Sequence, residues 1–322
     1  MFDRPPPRHA RRSASIALAG LLALSLGLAP GPARAQVRDP SVPPLPGDDT
    51  PVATPMVDRG RLLATGGVSQ VEGAAGGGLV PWALITGYGT RDSVGATAHD
   101  TQIFVRDYNL NSVGGAIGLF NRVELSYDHL WFDTQSTGRA LGLGKGFTFE
   151  ENVIGAKVRL TGDAVYDQDT WLPQLALGVQ YKRTDDTAIL KAVGARTNDG
   201  TDFYLAATKL FLRESLLVNV TVRGTRANQF GILGFGGTNN NDYHPEFETS
   251  AALLLSRDLA IGGEYRTKPS ELAFARENNV YDWFLAYFFN KNVAATLAYV
   301  ELGDIATRNN QNGVYLSLQV GF

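Results

Sequence analysis

The sequence predicts an all-β protein: a closed antiparallel transmembrane β-barrel of about fourteen strands, with twelve as the alternative. Three observations predict it. Segments of roughly nine to eleven residues alternate apolar and polar side chains, a length that suits a tilted strand crossing a bilayer. The connections between them mostly alternate short and long. The chain also opens with an export leader and ends on an aromatic residue, Phe322.

Residues 1–35 have the form of a signal peptide. Arg4, Arg8, Arg11 and Arg12 make a positive start, Ile16 to Ala29 a short apolar core, and Ala33-Arg34-Ala35 an A-x-A cleavage site before Gln36. Removing the leader takes away five of the 29 basic residues and one of the 32 acidic ones, so the mature chain carries a net charge of −7. That balance argues against nucleic acid as a partner. With no Cys, thiol catalysis and Cys-ligated metals are excluded, as is a lipid anchor on a Cys after the cleavage site. No later stretch reaches ~18 apolar residues, the length of a spanning helix.

Residues 36–58 are a Pro-rich linker. Pro40, Pro43, Pro44, Pro46, Pro51 and Pro55 stand among Asp, Thr and Ser, with too little apolar content to fold alone. The barrel is expected over residues 59–322.

The last strand has the clearest pattern. Val314, Leu316, Leu318, Val320 and Phe322 share one face; Gly313, Tyr315, Ser317, Gln319 and Gly321 share the other. The same alternation runs through Asn152–Leu160, Leu172–Lys182, Leu216–Thr225 and Leu259–Lys268. Candidate strands centre near Ala64, Leu84, Val105, Ile117, Leu125, Ala156, Leu177, Ala207, Val220, Leu253, Gly262, Leu285, Leu297 and Leu318. Tight turns are expected at Phe120–Arg122, Leu212–Ser215, Ser256–Asp258 and Phe289–Asn292. Long loops are expected at Asp133–Phe149, Arg183–Thr201, Arg226–Pro245, Pro269–Asn278 and Gly303–Asn312. Thr161–Thr170 breaks the pattern, being long where a short turn is due. Short periplasmic turns and longer outer loops place both termini in the periplasm.

Alternation also predicts a lumen lined by Arg122, Lys157, Arg159, Lys182, Lys209, Arg223, Arg266 and Lys268, with Glu124, Asp128, Glu264 and Asp282. Basic groups exceed acidic ones in that set, so an open lumen would favour anions. The alternative is that these charges pair and fill a closed barrel. Trp82, Trp131, Trp171, Tyr181, Trp283 and Tyr287 are expected as interface anchors.

Other motifs carry less. Gly76-Gly77-Gly78 either cradles an anion or packs closely within the sheet. Gly142-Leu143-Gly144-Lys145-Gly146 lacks the Ser or Thr of a phosphate loop and is expected as a plain loop. Asn239-Asn240-Asn241-Asp242 is either a calcium-binding turn or an Asn-rich turn. His99, His129 and His244 are not at metal spacing. Neither a catalytic constellation nor a cofactor is expected.

Two resemblances follow from these residues. The terminal strand, with Tyr315 and Phe322, resembles the assembly signal of bacterial outer-membrane proteins. That implies outer-membrane lipids and the outer-membrane assembly machinery as partners, and an outer-membrane location. The run Thr65 to Gly73, Gly76-Gly77-Gly78, Pro81-Trp82-Ala83, Gly87-Tyr88-Gly89-Thr90, Val123 to Ser126 and Gly162 to Asp167 is similar to a proteobacterial outer-membrane family, domain of unknown function 3034. This resemblance covers roughly Arg61 to Phe322 and implies a fold and a location, but no activity. The leading functional reading is a passive channel or uptake protein for small solutes. A structural or interaction barrel with a plugged lumen comes second, and an outer-membrane hydrolase third.

Overall fold

Period-2 alternation resolves into long strands joined side by side. A computed structural model describes Arg61 and residues 63–322; the leader and the Pro-rich linker lie outside the described residues. The barrel strands are β3 (Val94–Val105), β4 (Asn109–Leu119), β5 (Val123–Asp133), β6 (Thr148–Thr161), β7 (Gln174–Thr184) and β8 (Asp199–Phe211), followed by β9 (Leu216–Thr225), β10 (His244–Leu254), β11 (Leu259–Arg266), β12 (Val280–Phe288), β13 (Val293–Glu301) and β14 (Asn312–Gly321). Every neighbour in sequence is an antiparallel neighbour in space, and β14 pairs with β3 to close the barrel, Thr97 opposite Gly321. Closure leaves no open edge, the condition for a sheet to lie in lipid.

The barrel therefore has twelve strands, the alternative count, rather than fourteen. The segments near Ala64 and Leu84 are not part of the wall. They precede β3 and hold a two-stranded hairpin, β1 (Val68–Ser69) with β2 (Ala75–Gly76).

The outward face is apolar and exposed at mid-strand: Ile154 is 57% exposed, Leu125 51%, Leu297 50% and Leu316 45%. Polar residues alternate with these and are buried, as with Glu124, Lys157 and Gln180. Such inversion, apolar out and polar in, is stable only when lipid surrounds the barrel. Aromatic side chains fringe the apolar band at both ends: Tyr181, Phe203, Tyr265 and Tyr281 at one, Phe120, Trp171, Tyr287 and Phe289 at the other. Trp82 is a correction. It is 5% exposed and donates its indole N–H to Ser250 Oγ at 2.9 Å, inside the barrel.

Both ends of the barrel sequence, β3 and β14, meet at one rim. The tight turns 120–122, 212–215, 255–258 and 289–292 share this terminal rim, and the loops 134–147, 185–198, 226–243, 267–279 and 302–311 share the other. At 120–122, Phe120 and Asn121 take φ of 55° and 48°, left-handed values at the two central positions of the tight turn closed by Arg122 N on Leu119 O. Two connections depart from the alternation. The loop-rim turn 106–108 is short, and the terminal-rim segment 162–173 is long. In the latter, Asp163 accepts N–H bonds from Val165 (3.0 Å) and Tyr166 (2.9 Å) and pairs with Arg159 at 3.0 Å. Burial raises its carboxyl, but these amides and the guanidinium outweigh that and hold it below the usual carboxylate range.

Loop 134–147 contains the short helix α1 (Gln135–Ala140), and loop 185–198 contains α2 (Thr187–Ala192). Gly142 to Gly146 follow α1 as plain loop. Within 226–243, Asn240 Oδ1 accepts from the amides of Asn241 and Asp242, so the Asn run is a self-bonded turn.

Candidate functional site

The segment 63–86 lies inside the barrel as a plug. Its residues from Thr65 to Thr86 are buried. A chain segment in that position must satisfy its backbone amides and carbonyls; the β1–β2 hairpin and tight turns serve some of them, and the wall supplies partners for others. Glu124 on β5 accepts from Ala75 N (3.0 Å) and Thr86 N (2.8 Å). Thr208 on β8 accepts from Ala83 N, Gln174 on β7 donates to Ala83 O, and Thr221 on β9 donates to Pro81 O. Lys157 on β6 donates to Ala75 O (3.0 Å) and Trp82 O (3.1 Å). Ser112 on β4 lies 3.0 Å from Val71 O, and Glu264 on β11 accepts from Leu79 N.

The Gly76-Gly77-Gly78 run explains how the plug comes so close. A Cβ on Gly77 would sit 1.9 Å from Glu264 Oε1, and one on Gly78 would press on Tyr315 and Asp282.

Eleven of the residues expected to line the lumen are buried: Glu124, Asp128, Lys157, Arg159, Lys182, Lys209, Arg223, Glu264, Arg266, Lys268 and Asp282. Arg122 is exposed instead. It belongs to the turn 120–122, where the two left-handed residues end the strand's alternation.

The basic wall proves to be paired. Lys157 meets Glu124 at 3.0 Å. Lys182 contacts Glu72 and Asp202, the latter at 2.8 Å. Arg223 meets Glu248 at 2.5 Å and Asp202 at 3.3 Å. Arg266 meets Glu72 at 2.9 Å and Glu248 at 3.1 Å. Lys268 meets Glu277 at 3.4 Å, and Lys209 donates to the carbonyl of Asp167. Buried acids, with Glu72, Glu151, Asp202 and Glu248 added, outnumber buried bases in this set. Sequence reasoning missed these four. Asp202 and Glu248 were legible, since they share period-2 faces with buried Tyr204 and Ser250. Glu72 was not, because the plug has no period.

Above and below the charges the interior is apolar. Toward the loop rim, Ile103, Leu110, Leu130, Phe230, Leu233 and Leu302 surround a void of about 30 Å³. Toward the terminal rim, Leu63, Trp82, Leu84, Leu210, Leu217, Phe284 and Phe288 line a cavity of about 320 Å³ between plug and wall.

His99, Ser112 and Asp128 meet beneath the plug. His99 Nε2 lies 3.0 Å from Asp128 Oδ2 and 3.2 Å from Ser112 Oγ. Serine and acid thus address the same ring nitrogen, whereas a nucleophilic relay needs them on opposite ones. All three are fully buried. His129 and His244 lie elsewhere, beside Glu150 and Glu271. Among the described residues, no group of three His, Cys, Asp or Glu side chains is placed to hold a metal ion.

No curated protein matches this sequence. In fold the chain is similar to a KdgM porin, at 11% identity and TM-score 0.46, covering 70% of this chain and 99% of that one. It is also similar to the COG4313 outer membrane channel from Pseudomonas putida F1, at 13% identity and TM-score 0.41, covering 75% and 96%. A third similar structure is outer membrane phospholipase A from Escherichia coli, at 10% identity and TM-score 0.39, covering 73% and 94%. These likenesses concern the fold alone. In sequence, the profile of the family described as protein of unknown function (DUF3034) matches residues 65–319, more than three quarters of the chain. With the closed barrel its motifs predicted, this chain belongs to the DUF3034 family.

Proposed function

We propose that the protein is an outer-membrane barrel closed at rest by its own N-terminal plug, and that it passes small solutes when the plug moves. One observation carries this reading: across the middle of the lumen, plug and wall are joined through buried polar and charged side chains, with shared apolar packing above and below. Buried ion pairs hold a structure together no better than apolar packing of the same volume. A barrel filled for stability alone has no need of them. A polar wall and a polar plug surface, by contrast, both remain compatible with water once separated.

On this reading residues 1–35 direct export and are cleaved, the terminal rim faces the periplasm, and Phe322 is presented to the assembly machinery. Solute enters past the outer loops. The second reading, a barrel that never conducts, rests on the pairing of Lys157, Lys182, Arg223, Arg266 and Lys268 with buried carboxylates. Planar-bilayer recording separates the two. Wild type is expected to stay closed with rare openings, and Glu72→Gln, which removes the plug's charge from its three cations, to open at least tenfold more often. Silence in both proteins would favour the non-conducting barrel.

A further inference from the structure

The plug carries one carboxylate into the middle of the lumen, and its surroundings have the form of a ligand site. Glu72 is 1% exposed. Arg266 Nη1 lies 2.9 Å from its Oε2, Arg223 Nη2 3.8 Å from the same oxygen, and Lys182 Nζ contacts its Oε1. Gln70 of the plug also donates to Oε2, at 2.7 Å. The three cations stand on β11, β9 and β7, each at most 3% exposed. Two wall carboxylates, Asp202 and Glu248, share them. Glu151 on β6 is also buried, and its Oε1 has no hydrogen-bond partner among the described residues. The wall thus presents two guanidinium groups and an ammonium to two carboxylates of its own, and the plug provides the third.

The other half of the site is apolar. The void of about 30 Å³ toward the loop rim has Glu72 as its sole charged lining residue, among Ile103, Leu110, Leu130 and Phe230. The ring of Phe230 lies 4.3 Å from the Arg266 guanidinium carbon and 5.4 Å from Lys268 Nζ, within the range of a cation–aromatic contact. An aromatic wall and a paired guanidinium therefore stand side by side.

We propose that Glu72 occupies the place of a solute's carboxylate: Lys182, Arg223 and Arg266 form a lumenal binding site for small monocarboxylates with an apolar body, which compete with the plug. This rests on the gated-conduit reading above. A planar carboxylate suits the forked donors of the two arginines. The void toward the loop rim holds only about one water as it stands, so the apolar body enters between Ile103, Leu130 and Phe230 as the plug withdraws. Competition with Glu72 gives the barrel a reason to open when that solute is present, since a ligand shifts a conformational equilibrium only by binding one state better than the other.

The test uses the full-length protein, with benzoate as probe and benzamide as its uncharged counterpart. By titration calorimetry in detergent micelles, Glu72→Ala is expected to bind benzoate at least tenfold more tightly than wild type does. Benzamide should not bind, and adding Arg266→Gln should remove at least tenfold of the affinity. In planar bilayers, benzoate should raise the opening frequency of wild type severalfold and benzamide should not. Equal binding of benzamide and benzoate, or binding of neither, overturns the inference. Should Glu72→Ala fail to fold, an unchanged opening frequency of wild type in benzoate overturns it instead. Opening of Glu72→Gln without any effect of benzoate sinks the carboxylate site and leaves the gate standing. Benzoate binding with no current in any variant leaves the site and sinks the gate.

Discussion

Lys157 joins plug to wall at a single atom, which makes it the sharpest place to perturb the assembly. Its ammonium is 1% exposed, 3.0 Å from Glu124 Oε1, and donates to the carbonyls of Ala75 and Trp82. Lys157→Met keeps the apolar stem and removes the charge. Glu124 then stays buried without its cation, and two plug carbonyls lose a donor. Breaking a buried pair from one side costs about 3–5 kcal/mol. The lost carbonyl bonds overlap with that cost and do not add in full, so about 4 kcal/mol is the expected total. The companion Lys157→Met/Glu124→Gln removes both charges and should recover about half of the loss. Full recovery is not expected, because Glu124 accepts from Ala75 N through Oε1 and from Thr86 N through Oε2, and in Gln one of those oxygens becomes an NH2 that cannot accept. Urea unfolding in detergent micelles, followed by tryptophan fluorescence, measures both proteins. A Lys157→Met barrel as stable as wild type, or a double variant less stable than the single, would refute the reasoning that this pair holds the plug.

Three further outcomes follow from other parts of the barrel. Deleting Phe322 should lower the yield of inserted protein far more than Phe322→Tyr does, read from membrane fractions; equal yields would remove the terminal aromatic from the assembly argument. Leu297, mid-strand on β13 and 50% exposed, should face the bilayer centre, so Leu297→Arg should cost about 2–4 kcal/mol in lipid vesicles, and no loss would place that face elsewhere. At the loop rim, burial pushes the Glu277 carboxyl up to about 7, against the pull of Lys268 and the Gln229 amide. An acid raised in the folded state binds its proton more tightly there than when unfolded, so this contribution is full below about pH 4.5 and lost as pH rises toward 7. Stability should therefore fall across that window by at most roughly 3 kcal/mol. Glu277→Gln should flatten the fall, and an unchanged slope in the variant would show that another group titrates.

The wall was legible in the sequence and the plug was not, for one physical reason. A strand between lipid and lumen meets two different media, so its side chains must alternate; β6, with Ile154 and Val158 out and Val153 and Lys157 in, carries that record in its sequence. The plug meets the lumen wall on every side. Its residues are buried whichever way they point, as Val71, Glu72, Leu79, Val80 and Trp82 are, and no period distinguishes it from a Gly-rich strand. The same gap explains the charge balance. The lysines and arginines of the wall were visible, while one of their main partners, Glu72, sits in the segment without a pattern. Arg122 shows the complementary error, alternation carried one residue past the end of a strand.

Whether residues 63–86 fill the lumen can be measured directly, because the chain has no cysteine of its own. Ser69 lies in the plug at 2% exposure, and Ser69→Cys changes one atom. A water-soluble maleimide applied to the folded protein in lipid vesicles should leave this thiol unlabelled. Labelling should appear on unfolding, and at an intermediate rate when Glu72→Gln is added. Rapid labelling of Ser69→Cys in the folded protein, at the rate of an exposed thiol, would contradict the plugged lumen.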